Sequence, residues 1–136
     1  MERRLDLGHH KNKIMIIEDD PSMVSLLATL LKMEGFTVRT PKNHQPDHLL
    51  NIIIDEQPHV ALVDVNLSMG SGLDLVKEIR REPRITAIFI LMISGLDMEE
   101  ECIRVGADGF VMKPFMPDEL ISLIHKTLNP LTELQK

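Results

Sequence analysis

Apolar residues in this chain come in short continuous runs separated by stretches with helical spacing. Four runs stand out: Ile14-Met15-Ile16-Ile17, Val60-Ala61-Leu62-Val63, Ala87 to Ile93, and Phe110-Val111-Met112. Runs of this length without polar alternation predict strands covered on both faces. Phe36 to Thr40 reads as a weaker strand. Between the strands, apolar residues recur every three or four positions. Asp20-Pro21 opens the first helix, with Asp as cap and Pro at the first helical position. Its inward positions are Val24, Leu27, Ala28 and Leu31, and Gly35 ends it. A second helix is predicted from Leu49 to Glu56, with Ile52 and Ile53 inward. A third runs from Leu73 to Arg81, with Leu75, Val76 and Ile79 on one side. Asp97-Met98-Glu99-Glu100 has the form of a capping box that opens a short fourth helix, closed by Gly106. Asp118 to Asn129 forms the last, with Leu120, Leu123, Ile124 and Leu128 inward. Residues 41–48 and Ser68 to Gly72 read as loops.

This is five β-α units. Helical connections between buried strands predict a doubly wound parallel sheet, an α/β fold. Residues 13–129 form the single domain expected of a 136-residue chain. Residues 1–12 are a polar tail, and 130–136 are a second tail or the start of a linker.

Composition narrows the function. The formal net charge is −6, which argues against a nucleic-acid surface built on clustered Lys and Arg. One cysteine, Cys102, excludes an internal disulfide and is expected to pack in its helix. No apolar run approaches the roughly 18 residues that span a bilayer. The first twelve residues lack the apolar segment of a signal peptide, so a cytoplasmic location is expected. With four Phe and neither Trp nor Tyr, the core must be aliphatic, and the nine Met fill it. His44 and His48 straddle a loop and are expected to be solvated.

The chemistry gathers at strand ends. The first strand ends in Glu18-Asp19-Asp20, the third at Asp64, the fourth at Ser94 and the fifth at Lys113. In an open parallel sheet, ligands bind beyond the carboxyl ends of the strands. Taken singly, Asp64 could be a helix cap, Ser94 a turn hydroxyl, and Lys113 a solvated charge beside a Pro114 bond able to be cis. Independent caps would not need to fall at several strand ends at once. Asp20 is assigned to capping, leaving Glu18 and Asp19 as pocket acids. Clustered carboxylates repel one another unless a cation intervenes, and an oxygen-only donor set suits Mg²⁺.

These residues resemble the receiver domain of bacterial response regulators over roughly Lys13 to Leu128. The matching pieces are Ile16-Ile17-Glu18-Asp19-Asp20, Leu62-Val63-Asp64-Val65-Asn66-Leu67 with Gly72-Leu73, Met92-Ile93-Ser94-Gly95, Gly106-Ala107-Asp108, and Lys113-Pro114-Phe115 with Glu119-Leu120. The resemblance implies the flavodoxin-like strand order 2-1-3-4-5. It implies phosphoryl transfer from a histidine kinase or phosphotransfer protein to Asp64, the phosphoacceptor, in a two-component system or phosphorelay. Glu18, Asp19, Asp64 and the backbone carbonyl of Asn66 would hold Mg²⁺. Ser94 would bond the phosphoryl group, Lys113 would pair with one of its oxygens, and Phe110 would be the aromatic whose rotamer follows Ser94. Small Gly95 would leave room for the phosphodonor. The chain would modify and restore only its own Asp, without turning over a separate substrate. A downstream protein partner is implied, with a homodimer also compatible, and no membrane or direct nucleic-acid contact.

Several positions depart from the family. Ser68 stands where proline is usual, His59 replaces a common acid, and Phe110 lacks the hydroxyl of the commoner tyrosine. From Ser94 to Lys113 is 113 − 94 = 19 positions, shorter than usual by about one helical turn. The shortfall is expected in the fourth helix. Two other readings compete. One is a receiver-like docking module that is never phosphorylated. The other is a small aspartate-nucleophile phosphatase of the haloacid-dehalogenase type, which would want a second acid at Asn66 and its metal acids late in the chain.

Overall fold

The computed structural model describes residues 12–129. The expectations for residues 1–11 and 130–136 lie outside it. Five parallel strands form one sheet: β1 (Lys13–Ile17), β2 (Thr37–Arg39), β3 (Val60–Asp64), β4 (Phe89–Ser94) and β5 (Gly109–Met112), in the order β2-β1-β3-β4-β5. The helices are α1 (Pro21–Met33), α2 (Pro46–Glu56), α3 (Gly72–Arg81), α4 (Glu99–Val105) and α5 (Pro117–Leu128). This is the doubly wound arrangement and strand order expected.

Each strand serves two cores, because successive side chains point to opposite faces. Ile14 and Ile16 join Leu62, Ile93, Leu27, Leu31, Leu120 and Ile124 on the α1–α5 side. Met15 and Ile17 join Val63, Met92, Ile53, Val76, Ile79 and Cys102 on the side of α2, α3 and α4. The three inward residues expected on α3 are all buried. On α5 only Leu120 and Ile124 are fully buried, with Leu123 and Leu128 packed at the margin. Cys102 is buried as expected, and burial with nearby Glu101 and Glu99 pushes its thiol up to about 11.

Several boundaries correct the sequence reading. Helix α2 begins at Pro46 rather than Leu49, using Pro at the first helical position after Gln45. The stretch expected to open β4 at Ala87 is a turn after a single 3₁₀ segment, Pro83–Ile85, and the strand starts at Phe89. The loop after Asp64 contains a small antiparallel ribbon, Asn66–Leu67 against Gly70–Ser71. Helix α4 is short, with 7 residues. The capping box expected from Asp97 does not form: Met98 occupies the cap and no side chain bonds the first turn. Gly106 closes the helix at φ 116°, a conformation that favours glycine.

The two-core arrangement makes a stability prediction. Ile79 is fully buried between α3 and the sheet. Ile79→Ala should cost about 2–5 kcal/mol in urea denaturation. Leu26→Ala, at a half-exposed position on α1, should stay within about 0.5 kcal/mol of the parent. Equal losses would contradict the assignment of these faces.

Candidate functional site

Parallel strands bring their carboxyl ends to one edge, and the expected residues gather there. Glu18 follows β1, Asp64 ends β3, Ser94 ends β4 and Lys113 follows β5. Glu18, Asp64 and Ser94 are buried, at 6%, 5% and 0% exposure. The Lys113 ammonium donates to Glu18 Oε1 at 3.0 Å and to Asp64 Oδ2 at 2.8 Å. Its backbone N–H donates to the Ser94 carbonyl at 2.7 Å. The Lys113–Pro114 bond is cis. The Ser94 hydroxyl accepts the Leu96 N–H at 3.0 Å.

The remaining carboxylate oxygens are also engaged. Glu18 Oε2 accepts the Asp20 N–H at 3.0 Å, and Asp64 Oδ1 accepts the Asn66 N–H at 2.8 Å. The side chain of Asp20 caps α1 through the Ser22 N–H, as expected. Burial first, then the adjacent Asp64 carboxyl, push the Glu18 carboxyl above its usual range, against the opposing bonds from Asp20 and Lys113. For Lys113, burial opposes its charge, but Asp64 and Glu18 outweigh it and hold the ammonium above its usual value.

Asp19 lies apart from this triad. Its Oδ1 is 2.6 Å from His44 Nδ1, and its Oδ2 accepts the Ser68 N–H. Burial alone would raise this carboxyl, but the Ser68 N–H and His44 outweigh it and hold it below the usual range. The expectation that His44 is solvated is therefore corrected. It is buried, with its other ring nitrogen 2.8 Å from the Pro41 carbonyl, whereas His48 is exposed. No signal in the sequence distinguished the two histidines, because the partner of His44 lies 25 positions away. Asp19 and Ser68 were each singled out, but nothing along the chain paired them.

Backbone packing beneath Asp64 requires Gly72. A Cβ there would lie 2.1 Å from the Asp64 carbonyl oxygen, inside any tolerable contact. Gly72 N–H donates to the Val65 carbonyl at 2.7 Å, closing the ribbon under the acid. Beside Ser94, a Cβ on Gly95 would meet nothing within 4 Å. Phe110 is half-buried on β5 and packs into the core on the α2–α4 side. Asn66 is exposed at the rim.

Among the described residues, no group of three His, Cys, Asp or Glu side chains is arranged to hold a metal ion. Glu18 and Asp64 share the Lys113 ammonium, whereas Asp19 bonds His44 and the Ser68 N–H. The donor chemistry nonetheless fits a hard cation. Every candidate ligand atom is oxygen, and one or two carboxylates suffice for Mg²⁺ alongside waters and phosphate oxygens.

Gly72→Ala should therefore lose about 1–3 kcal/mol of stability by overpacking. Gly95→Ala, facing open space, should stay within about 0.5 kcal/mol. Chemical denaturation of the two variants checks the contrast, which a similar loss in both would contradict.

The geometry has close counterparts among known proteins. The family model of the response regulator receiver domain matches residues 14–125. The phosphate regulon transcriptional regulatory protein PhoB of Pseudomonas aeruginosa is 30% identical over 118 residues, covering 85% of this chain and 51% of that protein. The transcriptional regulatory protein CpxR of Klebsiella pneumoniae is 33% identical, covering 86% of this chain and 49% of that protein. The chain thus spans about half the length of these curated relatives. Among solved structures, the chemotaxis protein CheY4 of Vibrio cholerae superposes with a TM-score of 0.77 at 25% identity, covering 85% of this chain and 98% of that one. A response regulator signal receiver domain from Bermanella marisrubri gives 0.77 at 26%, covering 88% and 99%. With its acids, hydroxyl and lysine at the strand ends and this match across most of its length, the chain belongs to the response regulator receiver domain family of two-component signalling.

Proposed function

We propose that this chain accepts a phosphoryl group on Asp64 from the phosphohistidine of a histidine kinase or phosphotransfer protein, in a Mg²⁺-dependent reaction, and passes the change to a protein partner. The observation that supports this most is the setting of Asp64. It is a buried carboxylate at the end of the central strand, 2.8 Å from the Lys113 ammonium, with the Ser94 hydroxyl at the end of the next strand.

An Asp64 carboxylate oxygen attacks phosphorus while the P–N bond to the donor imidazole breaks. The imidazole nitrogen keeps the electron pair and takes up a proton. Lys113 transfers its ion pair to a phosphoryl oxygen, as a point charge can. Ser94 gives its O–H to another. Glu18, Asp19, Asp64 and the Asn66 carbonyl would hold Mg²⁺, which neutralises charge on the phosphoryl oxygens. The open space beside Gly95 admits the donor ring. Later attack of water on phosphorus breaks the bond to the Asp64 oxygen, which keeps the electron pair, and releases inorganic phosphate, so the chain resets itself and turns over no other substrate. Among the described residues no helix is long and apolar enough to cross a membrane. The histidine-kinase donor named in this reading supports a reaction in the cytoplasm.

Incubation with a small acyl phosphate and Mg²⁺ should add the mass of one base-labile phosphoryl group. Asp64→Asn should take up none. Equal labelling of that variant would move the chemistry to another residue. An unlabelled parent would instead favour a docking module that works without phosphorylation.

Output is assigned to the segment from Ser94 to Pro117. Leu96, Ile103, Met112 and Met116 are exposed there, at 66%, 46%, 48% and 65%. Helix α4 carries Glu99, Glu100 and Glu101 in its first turn, which suits the helix dipole. Seven residues gain little from their own hydrogen bonds, so the order of α4 depends on packing. These exposed apolar side chains suit a downstream protein or a second copy of the chain. With a stable phosphoryl mimic, hydrogen exchange should change most between Ser94 and Pro117, with α1 nearly silent. A response centred on residues 36–56 would place the output face elsewhere.

A further inference from the structure

His44 connects parts of the molecule that the phosphoryl chemistry alone does not require to meet. It arrives from the loop between β2 and α2, and its ring is buried. Both ring nitrogens face oxygens that accept: Asp19 Oδ1 at 2.6 Å and the Pro41 carbonyl at 2.8 Å. An Asp19 carboxylate can only accept, so Nδ1 carries the hydrogen of that bond, and Nε2 lies against the Pro41 carbonyl. The Pro41 bond fixes the ring, and the fixed ring holds Asp19. The other Asp19 oxygen is held by the Ser68 N–H. Ser68 lies on the loop that follows Asp64. One carboxylate thus ties two loops together. His44 also stands in the walls of two clefts, of about 630 Å³ and 450 Å³. The larger cleft is lined by Glu18 and Asp19, so the ring borders the acidic pocket from the side.

We infer that His44 is a positioning residue that lowers the affinity of the acidic pocket for a divalent cation, by competing with the cation for Asp19. This rests on the reading of Glu18, Asp19 and Asp64 as a cation pocket. Glu18 and Asp64 share Lys113, so among the described residues Asp19 is the pocket acid with no ammonium partner. It is instead bonded at both oxygens. A cation that takes Asp19 must draw electron density from an oxygen already receiving the His44 hydrogen, and must loosen or share that bond. Binding of the cation and the His44–Asp19 bond are then coupled, and the coupling is reciprocal. The residue sets the cation concentration at which the pocket fills, and it transmits filling to the loop before α2.

The test is calorimetric titration of the full chain with MgCl₂ alone. His44→Ala should bind Mg²⁺ roughly fivefold or more tightly than the parent. In an Asp19→Asn background the same change should have no effect, which a purely structural role for the ring would not produce. In the unaltered protein, the ring resonances of His44, identified by their absence from the variant, should shift on addition of Mg²⁺ and saturate with the calorimetric curve. That measurement stands even where the variant folds poorly. Saturable binding that is unchanged or weaker in His44→Ala, or ring resonances that stay still while the pocket fills, would overturn the role of His44 and leave the pocket. No saturable binding in the parent would overturn the cation pocket and the role of His44 together.

Discussion

The Lys113 ammonium binds two carboxylates, Glu18 and Asp64, that are almost fully removed from water. Burying a lone carboxylate costs several kcal/mol, and leaving two side by side adds their repulsion. Strand order sets where the cation must come from. Glu18 and Asp64 leave neighbouring strands, while Lys113 leaves β5, separated from β3 by β4. The lysine stem therefore crosses the end of β4. The residue there is Ser94, small enough to be crossed and polar enough to bond what lies above it. The two acids, the hydroxyl and the ammonium form one electrostatic unit because the sheet order forces them to.

That unit was legible along the chain because its members announce themselves locally. Each follows an apolar run that can only be a buried strand, and parallel connections through helices put all the ends on one edge. The pairing of Lys113 with both acids was not read from the chain, where its charge was expected to meet a phosphoryl oxygen. The two cores were equally legible, since Leu75, Val76 and Ile79 repeat at helical spacing. The short α4 could be read from the interval between Ser94 and Lys113. All of these features depend on local spacing or on topology.

What was not legible depends on contacts between loops. His44 looks solvated because its neighbours Lys42, Asn43 and Gln45 are polar and do become exposed. Its burial follows from Asp19, on another strand end. The start of α2 shows a related failure. Pro46-Asp47-His48 carries no apolar residue, so periodicity begins only at Leu49, yet the exposed first turn forms because Pro suits it and the later turns are packed. At α4 the error runs the other way. Asp97 and Glu100 have the spacing of a capping box, but the chain enters the helix one residue later and Met98 takes the cap. A local motif is overruled where the loop before it is tied to the site through the Leu96–Ser94 bond.

The two ends of α4 are consequently unlike. Its carboxyl end is fastened by Arg80 of α3, which donates to the Gly106 and Ile88 carbonyls at 2.9 Å each and pairs with Asp108 at 2.9 Å. Asp108 in turn accepts the Ile90 N–H at 2.8 Å, joining the fastening to β4. The amino end has no side-chain cap and follows a loop anchored on the Ser94 hydroxyl. In the proposed reaction, a phosphoryl group on Asp64 that drew this hydroxyl toward itself would withdraw the acceptor of the Leu96 N–H. The change would then fall on the uncapped end of a helix whose other end is held, so in the function proposed here α4 would pivot about Gly106 or lose its first turn. A full-length helix would spread the same displacement over an additional turn of backbone bonds. With seven residues, little of the helix would lie outside the reach of Ser94, and the shortening would concentrate the proposed response where Leu96 and Ile103 are exposed.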